Sequence, residues 1–343
     1  MRFTIPTLLL AIAALLSGSG AAFAQPSGVT DFDRIFVCNL EDSSFSVLSY
    51  PEMKEVARKH VGPRPYYLAI NGDNSILAIT VEGEESIKFY NAKTYEQLGQ
   101  LKIGRMYSDH LMTLPDGRRL IISDRYGNAV LLIDFATMKI IKRIEGVLQP
   151  HNIRIGATGQ FAYVTTKVDP SITVIDLNKG EIRNQFKMKF IPRGLAPSPD
   201  EKLVYCGANW VNSIFEYDAH TGKLLKVIST EPPKTAPIVQ ESTYHGLEFF
   251  NDSLLMATNE GNSTLDLINV RTGRLVDRST NVNGPGAISL LGGGRGELIF
   301  TNMGDNTIVL AKIGADQKFQ MVKSAKTGDR VGELPKRFTF ANR

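Results

Sequence analysis

The stretch FIPRGLAPSPDEKLVYCGANWVNSIFEYD, residues 190–218, contains one unit of a pattern that the chain repeats. A Pro-Arg-Gly step leads into a short apolar segment, 195–197, and a Ser-Pro-Asp-Glu turn follows it. Two further segments rich in β-branched and aromatic residues, 202–206 and 213–218, are separated by a polar loop. Short runs of this composition between turn residues predict three consecutive strands.

The third strand of this unit recurs along the chain. Related segments start at Ser44, Ser86, Asn128, Ser171, Asn212, Ser263 and Asn306. From Ser86 onward their spacing is 42, 43, 41, 51 and 43 residues, which is typical of a four-stranded propeller blade. Helical periodicity of comparable strength is absent, which argues against a helical solenoid. The repeat therefore predicts an all-β protein, a seven-bladed β-propeller with four-stranded antiparallel blades.

A second repeated feature, the segment that leads into each innermost strand, indicates how the ring closes. Proline often marks this lead-in, because a first strand residue need not donate to the ladder. The seventh lead-in, 334–338, is C-terminal with no further strands after it, whereas the strands in 34–61 have no lead-in before them. We therefore expect residues 336–341 to supply the innermost strand of the N-terminal blade, giving one propeller domain over 34–343.

The turns of this pattern resemble those of a known family. The residues that carry the resemblance are Gly62-Pro63-Arg64-Pro65, Leu114-Pro115-Asp116-Gly117 and Leu195-Ala196-Pro197-Ser198-Pro199-Asp200. They resemble the YVTN-repeat propellers, a superfamily similar to the d-type haem domain of cytochrome nitrite reductases, to lactonase-like propellers and to quinoprotein amine dehydrogenase subunits. The resemblance covers nearly all of 34–341 and implies the fold. The matched residues build turns and strands, so it does not imply one activity.

The N-terminal residues have the features of an export signal. Arg2 supplies a positive charge, residues 8–16 are apolar, and Ala22-Phe23-Ala24 is a small-residue cleavage motif. We expect cleavage near Ala24, a linker over 25–33, and a mature protein in the periplasm or outside the cell. The apolar run is too short for a membrane span, and none is expected later in the chain.

Composition and cysteine content narrow the classes of partner. The chain has 39 basic and 35 acidic side chains, a bias too small to indicate nucleic acid binding. Cys38 and Cys206 are the only cysteines, and the repeat assigns them to distant blades, so we expect two buried free thiols. No CxxCH motif occurs, and covalent haem is therefore not expected.

Polar residues recur at one position of the lead-ins, which converge on one mouth of a propeller's central channel. The residues after the proline, or its equivalent, form a predicted ring: Tyr66, Asp109, His151, Arg193, His245, Gly286 and Lys336. His110 follows Asp109 and is expected to face the opposite side, unless the register differs by one residue. Imidazoles bind metals or transfer protons near pH 7, and Arg193 and Lys336 favour anions.

The ligand of this ring stays open at the level of sequence. His151 and His245 could coordinate a metal in a narrow channel, whereas a tetrapyrrole or another large anion would need a wider mouth. The excess of the 51-residue interval, 229–242, could cover such a mouth. The alternative is a water-filled channel whose polar residues bond to each other without a ligand.

Outer candidates lie in the predicted loops between second and third strands; they are Asp124-Arg125-Tyr126, Lys167, Asn209-Trp210 and Asn259-Glu260. Trp210, the only tryptophan, could stack on a flat ligand or a partner, or could pack between neighbouring blades. Arg125 could contact a ligand or remain a solvated loop residue.

Three functions fit these residues. The first is an exported propeller that binds a small anionic or redox ligand, or a partner protein, at the mouth, as an accessory of a redox or cofactor pathway. The second is an enzyme at the same mouth, either a lactonase-like hydrolase or a cofactor-dependent oxidoreductase. The third is an interaction scaffold that uses the outer rim. The absence of a complete catalytic motif favours the first.

Overall fold

The repeat forms seven antiparallel four-stranded sheets, arranged as the blades of a closed ring. The computed structural model describes residues 34–107, 109–230, 244–291 and 296–327, and the backbone of 335–341. The predicted export signal and linker lie outside the described residues, as does the predicted insertion from residue 231 onward. The seven-bladed prediction is confirmed.

The described chain begins with three strands, β1 (Arg34–Asn39), β2 (Ser44–Ser49) and β3 (Glu55–His60). Blade 1 contains β4 (Pro65–Ile70), β5 (Ile76–Val81), β6 (Ser86–Asn91) and β7 (Gln97–Lys102). Blade 2 contains β8 (Leu111–Thr113), β9 (Arg119–Asp124), β10 (Ala129–Asp134) and β11 (Lys139–Glu145). Blade 3 contains β12 (Pro150–Ile155), β13 (Phe161–Thr166), β14 (Ser171–Asp176) and β15 (Glu181–Lys187).

The second half of the ring repeats this order. Blade 4 contains β16 (Pro192–Pro197), β17 (Leu203–Ala208), β18 (Val211–Asp218) and β19 (Leu224–Ser229). Blade 5 contains β20 (Tyr244–Phe249), β21 (Leu254–Asn259), β22 (Thr264–Asn269) and β23 (Arg274–Ser279). Blade 6 contains β24 (Pro285–Leu290), β25 (Glu297–Asn302), β26 (Thr307–Ile313) and β27 (Phe319–Lys326), and the chain returns with β28 (Pro335–Ala341).

The two ends of the chain close the ring in blade 7. Strand β28 pairs antiparallel with β1, with Phe338 opposite Val37 and Ala341 opposite Arg34, and the sheet order is β28-β1-β2-β3. The expected closure is confirmed. An N-terminal blade without this strand would leave the edge of β1 open to pairing with other chains.

The hydrophobic core is divided among the contacts between blades. Each of seven buried clusters joins two neighbouring blades, from the cluster between blades 7 and 1 to the one between blades 6 and 7. The middle strands are buried on both faces, as in β13, where all six residues are buried. The outermost strands, such as β11, are largely exposed. Because the middle strands are buried on both faces, their sequences are continuous apolar runs rather than alternating ones.

The innermost strands share a local irregularity at their lead-in. In blades 1, 3, 4, 5 and 6, the pairing with the second strand shifts register within the first few residues. A bulge of this kind leaves backbone N–H groups without a ladder partner. In five blades a Ser or Thr hydroxyl at the fifth position of the second strand accepts that N–H; the acceptors are Thr80, Ser123, Thr165, Thr258 and Thr301.

The hairpin of blade 4 is longer than the sequence predicts, and the two cysteines are placed as expected. In blade 4 the predicted polar loop over 207–212 shrinks to two residues, because Ala208 pairs with Val211 and extends the hairpin. Cys38 and Cys206 are both buried, as predicted, and no disulfide joins them. No helix of the described chain is long and apolar enough to cross a membrane.

Candidate functional site

One face of the ring collects two kinds of loop. Because the four strands of a blade alternate in direction, the lead-in to the first strand and the turn between the second and third strands lie at the same end. We call this end the mouth face. The opposite end carries the first-to-second and third-to-fourth turns. The residues predicted to form a site all belong to lead-ins or second-to-third turns.

The predicted ring positions are in register with one another. Pro150, Pro192, Tyr244, Pro285 and Pro335 each pair with a residue at or near the end of the second strand of their blade. In blade 2 the amide of His110 donates to Ser123 Oγ, as the amide of Asn152 does to Thr165 Oγ1. Asp109 therefore occupies the position of His151, and the register chosen from the sequence is right. Lys336 lies at the matching position of β28, but its side chain is outside the described residues.

Three aromatic side chains from consecutive blades contact each other at the mouth. The Tyr67 hydroxyl lies 2.7 Å from His110 Nδ1, and the two ring centroids are 4.1 Å apart. The centroids of the His110 and His151 rings are 4.8 Å apart. His110, which strand alternation predicts on the opposite side from the ring, thus contacts His151, a member of the predicted ring. All three side chains are buried.

Asp109 anchors the loops beside this cluster. Its carboxylate accepts backbone N–H groups from Arg125, at 3.1 Å, and from Tyr107, at 3.3 Å. Burial raises the pKa of Asp109 to about 8, although these two amide hydrogen bonds oppose the shift. Asp109 therefore joins the blade 2 lead-in to the neighbouring turn, and its described hydrogen bonds go to backbone amides rather than to an imidazole.

A second cluster lies across blades 4 and 5. Arg193 Nη2 is 3.5 Å from Glu260 Oε2, and His245 Nδ1 is 3.7 Å from the same oxygen. Glu260 follows β21 in the second-to-third turn, so a single carboxylate links two lead-ins. Arg193 Nε is buried and has no hydrogen-bond partner, which leaves it with unused capacity to donate. The amide of Asn152 connects the two clusters, because its Nδ2 donates to Arg193 O at 3.1 Å.

The outer candidates differ from each other. Arg125 stacks over the Tyr107 ring, with its Cζ 5.0 Å from the centroid, and its buried Nε and Nη1 have no hydrogen-bond partner. Trp210 is 67% exposed, so the alternative that it packs between blades is wrong. Tyr66 packs against Tyr67, with ring centroids 5.3 Å apart. These residues border the mouth without joining either buried cluster through a described hydrogen bond.

The two predicted metal ligands contact different neighbours. His151 faces His110, and His245 faces Glu260. Within the part of the chain that the structure describes, no group of three or more His, Cys, Asp or Glu residues could hold a metal ion. Metal binding by His151 and His245 stays a prediction, and any such site would need ligands from a cofactor or from water.

Two contributors to the site are not among the residues that the sequence predicts, namely Tyr67 and the Ser and Thr hydroxyls of the second strands. Glu260 is one of the predicted outer loop candidates, and the structure adds its contacts with Arg193 and His245. The hydroxyls do leave a signal, since the same strand position carries Ser or Thr in five blades. The contact of Tyr67 with His110 leaves none, because it joins residues 43 positions apart.

The fold and the mouth define a seven-bladed β-propeller with a buried, imidazole- and guanidinium-lined channel end. Residues 119–243, less than half of the chain, match the family model of the cytochrome D1 heme domain. No curated protein sequence matches the chain. Among solved structures, Kuenenia stuttgartiensis hydrazine synthase is similar with a TM-score of 0.70 and 16% identity, over 84% of this chain and 93% of that one. At this identity the likeness concerns the fold.

Proposed function

We propose that this protein is an exported propeller that binds a small anionic or redox ligand at the mouth of its channel and acts in a redox or cofactor pathway. One observation carries the proposal: four consecutive blades direct His110, His151, Arg193 and His245 to the same mouth. The three imidazoles are buried, with exposures of 5% or less, and the guanidinium is largely buried.

The free-energy cost of burying guanidinium nitrogens of Arg193 and Arg125 supports a ligand. Burying a polar side chain without full hydrogen bonding costs roughly 1–3 kcal/mol, whereas an aliphatic side chain at the same position would add stability. A channel with a purely structural role could be closed by Val or Ala at these positions. Arg193 Nε and Arg125 Nε are both buried without a hydrogen-bond partner, and a bound anion is one way to satisfy them.

A tetrapyrrole with carboxylate groups is the ligand class that we favour. Arg193 and Arg125 could bind its carboxylates, since guanidinium groups recognise carboxylates with two parallel donors. His151 or His245 could bind its central metal, as imidazole often does in haem proteins. When bound, such a group would supply redox chemistry that the side chains lack. The partial match to the cytochrome D1 heme domain supports this choice, and its range includes Arg125, His151 and Arg193.

Export to the periplasm is part of the proposal, and the N-terminal sequence supports it. Arg2, the apolar run and the motif Ala22-Phe23-Ala24 fit an export signal. The N-terminal sequence of the protein isolated from its own host is expected to begin at Gln25. A mature protein that still begins at Met1 would contradict export.

The ligand is tested on protein isolated from its own host. We expect a visible absorption band, a bound mass in native mass spectrometry, and saturable binding of haemin as a tetrapyrrole probe. His151→Ala and His245→Ala together should abolish the band and weaken haemin binding at least about tenfold, the loss of ~1.4 kcal/mol or more. Arg193→Gln should weaken haemin binding while leaving an intact fold.

His60→Ala and His220→Ala are the matched controls, because both histidines are exposed; His220 lies in a turn of the opposite face, and His60 lies on the outermost strand of blade 7. Circular dichroism and thermal unfolding check that each variant folds. If the paired mouth variant binds haemin as the controls do and keeps the ligand content of the unmodified protein, the mouth is not the binding site.

A further inference from the structure

The exposed hydrophobic side chains of this protein fall into two groups. Twelve of the seventeen large ones lie on the outermost strands, where every propeller blade exposes an edge. The other five lie in loops of the mouth face; they are Tyr107, Tyr126, Leu148, Val168 and Trp210. We call these five the aromatic arc. In the described residues, the loops of the opposite face contribute none.

The aromatic arc is confined to neighbouring blades. Tyr107 and Tyr126 come from the lead-in and the second-to-third turn of blade 2. Leu148 lies in the lead-in to blade 3, Val168 in the turn of blade 3, and Trp210 in the turn of blade 4. Exposures range from 39% for Tyr126 to 67% for Trp210. Soluble proteins scatter single exposed apolar residues, but a series over three consecutive blades on one face indicates an interaction site.

Charge divides the mouth face in the same way. In the second-to-third turns of blades 5, 6, 7 and 1 there are seven carboxylates and no lysine or arginine; the carboxylates are Glu41, Asp42, Glu82, Glu84, Glu85, Glu260 and Asp305. The turns of blades 2 and 3 carry Arg125 and Lys167 with a single acid, Asp169. Arg105 and Lys189 are exposed in the adjacent lead-ins. Five of the seven carboxylates pair with Arg58, Arg64, Lys88 or Arg193, so the turns of blades 5 to 1 are close to neutral and the loops of the aromatic arc are the more basic part of the face.

Local contacts and backbone conformation hold the side chains of the aromatic arc at the surface. Arg105 Cζ lies 4.3 Å from the Tyr126 ring centroid, and Arg125 Cζ lies 5.0 Å from that of Tyr107, so the tyrosines and arginines brace each other. Trp210 adopts a φ of +66°, which is unusual for a bulky residue and turns it outward in a two-residue turn. Tyr, Trp and Arg are the residues that dominate binding energy at protein interfaces.

We infer that the aromatic arc, with Arg105 and Arg125, is the docking surface for a partner protein. The partner's surface has an apolar patch bordered by carboxylates where it meets the arc. The basic side chains beside the arc would attract such a surface during approach. Asp109 joins the backbone of Tyr107 and Arg125 to the lead-in that carries His110, so the bound partner would lie at the mouth where, under the proposed function, the ligand binds.

Charge complementarity favours this partner over a second copy of the chain. A two-fold axis that places the arc against itself would oppose Arg105 and Arg125 to their own copies. An axis that places the arc against the turns of blades 5 to 1 would avoid this opposition, but those turns supply no exposed large apolar side chain from their described residues. A hetero-partner can satisfy both requirements at once.

Site-directed photo-cross-linking in the source organism tests the inference. A photo-reactive phenylalanine is placed at position 126, 168 or 210, and at the matched positions 98, 141 and 225 on outermost strands. We expect one common cross-linked protein from the three arc positions and none of it from the three controls. Its contact surface, mapped by mass spectrometry, should contain carboxylates around an apolar patch.

The partner identified in this way is then titrated against the purified full-length chain. Trp210→Ser should raise the Kd at least about tenfold and Arg105→Gln about threefold, with the latter effect disappearing at high salt. Leu225→Ser should leave the Kd within about twofold. No product from the arc, the same product from the control positions, or a contact surface without carboxylates would overturn the inference. A product that is the chain itself, or a dimer that Trp210→Ser dissociates, would assign the arc to self-association instead.

Discussion

Blades 3 and 5 place a histidine at the same position of the channel mouth and surround it in different ways. His151 in blade 3 contacts the ring of His110, whereas His245 in blade 5 lies beside the carboxylate of Glu260. The next residue is Asn152 in blade 3, which donates to the neighbouring blade, and Gly246 in blade 5. One repeated scaffold thus supplies two chemical settings, because the backbone is repeated and the contacting side chains are not.

The two blades also differ one layer further out. At the same pairing position of the third and fourth strands, blade 5 has Asp266 and Arg278, and blade 3 has Thr173 and Gln185. Asp266 is fully buried and accepts two hydrogen bonds from Arg278, both 2.7 Å long, and one from the Tyr244 hydroxyl at 2.8 Å. In blade 5 a buried ion pair therefore holds the residue that precedes His245.

The largest difference in stability between the two blades should appear when the negative charge of Asp266 is removed. Asp266→Asn is expected to lower the free energy of unfolding by about 3 kcal/mol, because it leaves the half-buried Arg278 without its counter-ion. Thr173→Val in blade 3 removes a 3.0 Å hydrogen bond from Gln185 and should cost about 1 kcal/mol. Denaturant titration followed by circular dichroism measures both. Equal losses would show that the ion pair gives blade 5 no special stability.

Asp109, in the lead-in of blade 2 beside blade 3, should make the free energy of unfolding depend on pH. Burial raises the pKa of Asp109 to about 8, so the folded protein holds a proton that the unfolded chain releases above about pH 4. The free energy of unfolding is therefore highest, as far as Asp109 is concerned, below about pH 4, and it falls as the pH rises toward 8. Between pH 5 and pH 8 the free energy of unfolding should fall by about 3 kcal/mol more in the unmodified protein than in Asp109→Asn.

The control for this prediction is Asp134→Asn, since hydrogen bonds from Thr137 lower the pKa of the exposed Asp134 carboxylate. A depressed pKa affects stability only under acidic conditions, so this variant should keep the slope of the unmodified protein between pH 5 and pH 8. If Asp109→Asn shows the same slope as Asp134→Asn, the carboxyl of Asp109 is already ionised in the folded state.

A smaller difference in stability is expected from the residue that follows each histidine, Gly246 in blade 5 and Asn152 in blade 3. A methyl group on Gly246 would lie 2.6 Å from Gly286 O and 2.7 Å from Thr258 Oγ1, closer than carbon atoms normally approach. Gly246→Ala should therefore cost about 2 kcal/mol of stability through overpacking. The matched change in blade 3, Asn152→Ala, removes only one hydrogen bond and should cost about 1 kcal/mol. Thermal unfolding of both variants makes the comparison, and a harmless Gly246→Ala would mean that blades 5 and 6 can separate.

The fold could be predicted almost completely from the sequence. Seven spaced copies of one strand gave the blade number, and the unmatched segments at 34–61 and 334–338 gave the closure. The ring positions were also in register, including Asp109, because strand pairing follows turns that the sequence marks with Pro, Asp and Gly. His110 precedes the first residue of β8, so the alternation of side chains within a strand did not predict its contact with His151.

The amino-acid sequence by itself determined that the chain forms a ring and which residues stand at its mouth, because both depend on short-range turns and a regular repeat. Only the tertiary structure decided which of those residues touch. The contacts of His110 with Tyr67 and His151, and of Glu260 with Arg193 and His245, join separate blades. Such contacts depend on how blades pack around the axis, and packing between distant segments has no signature in any one of them.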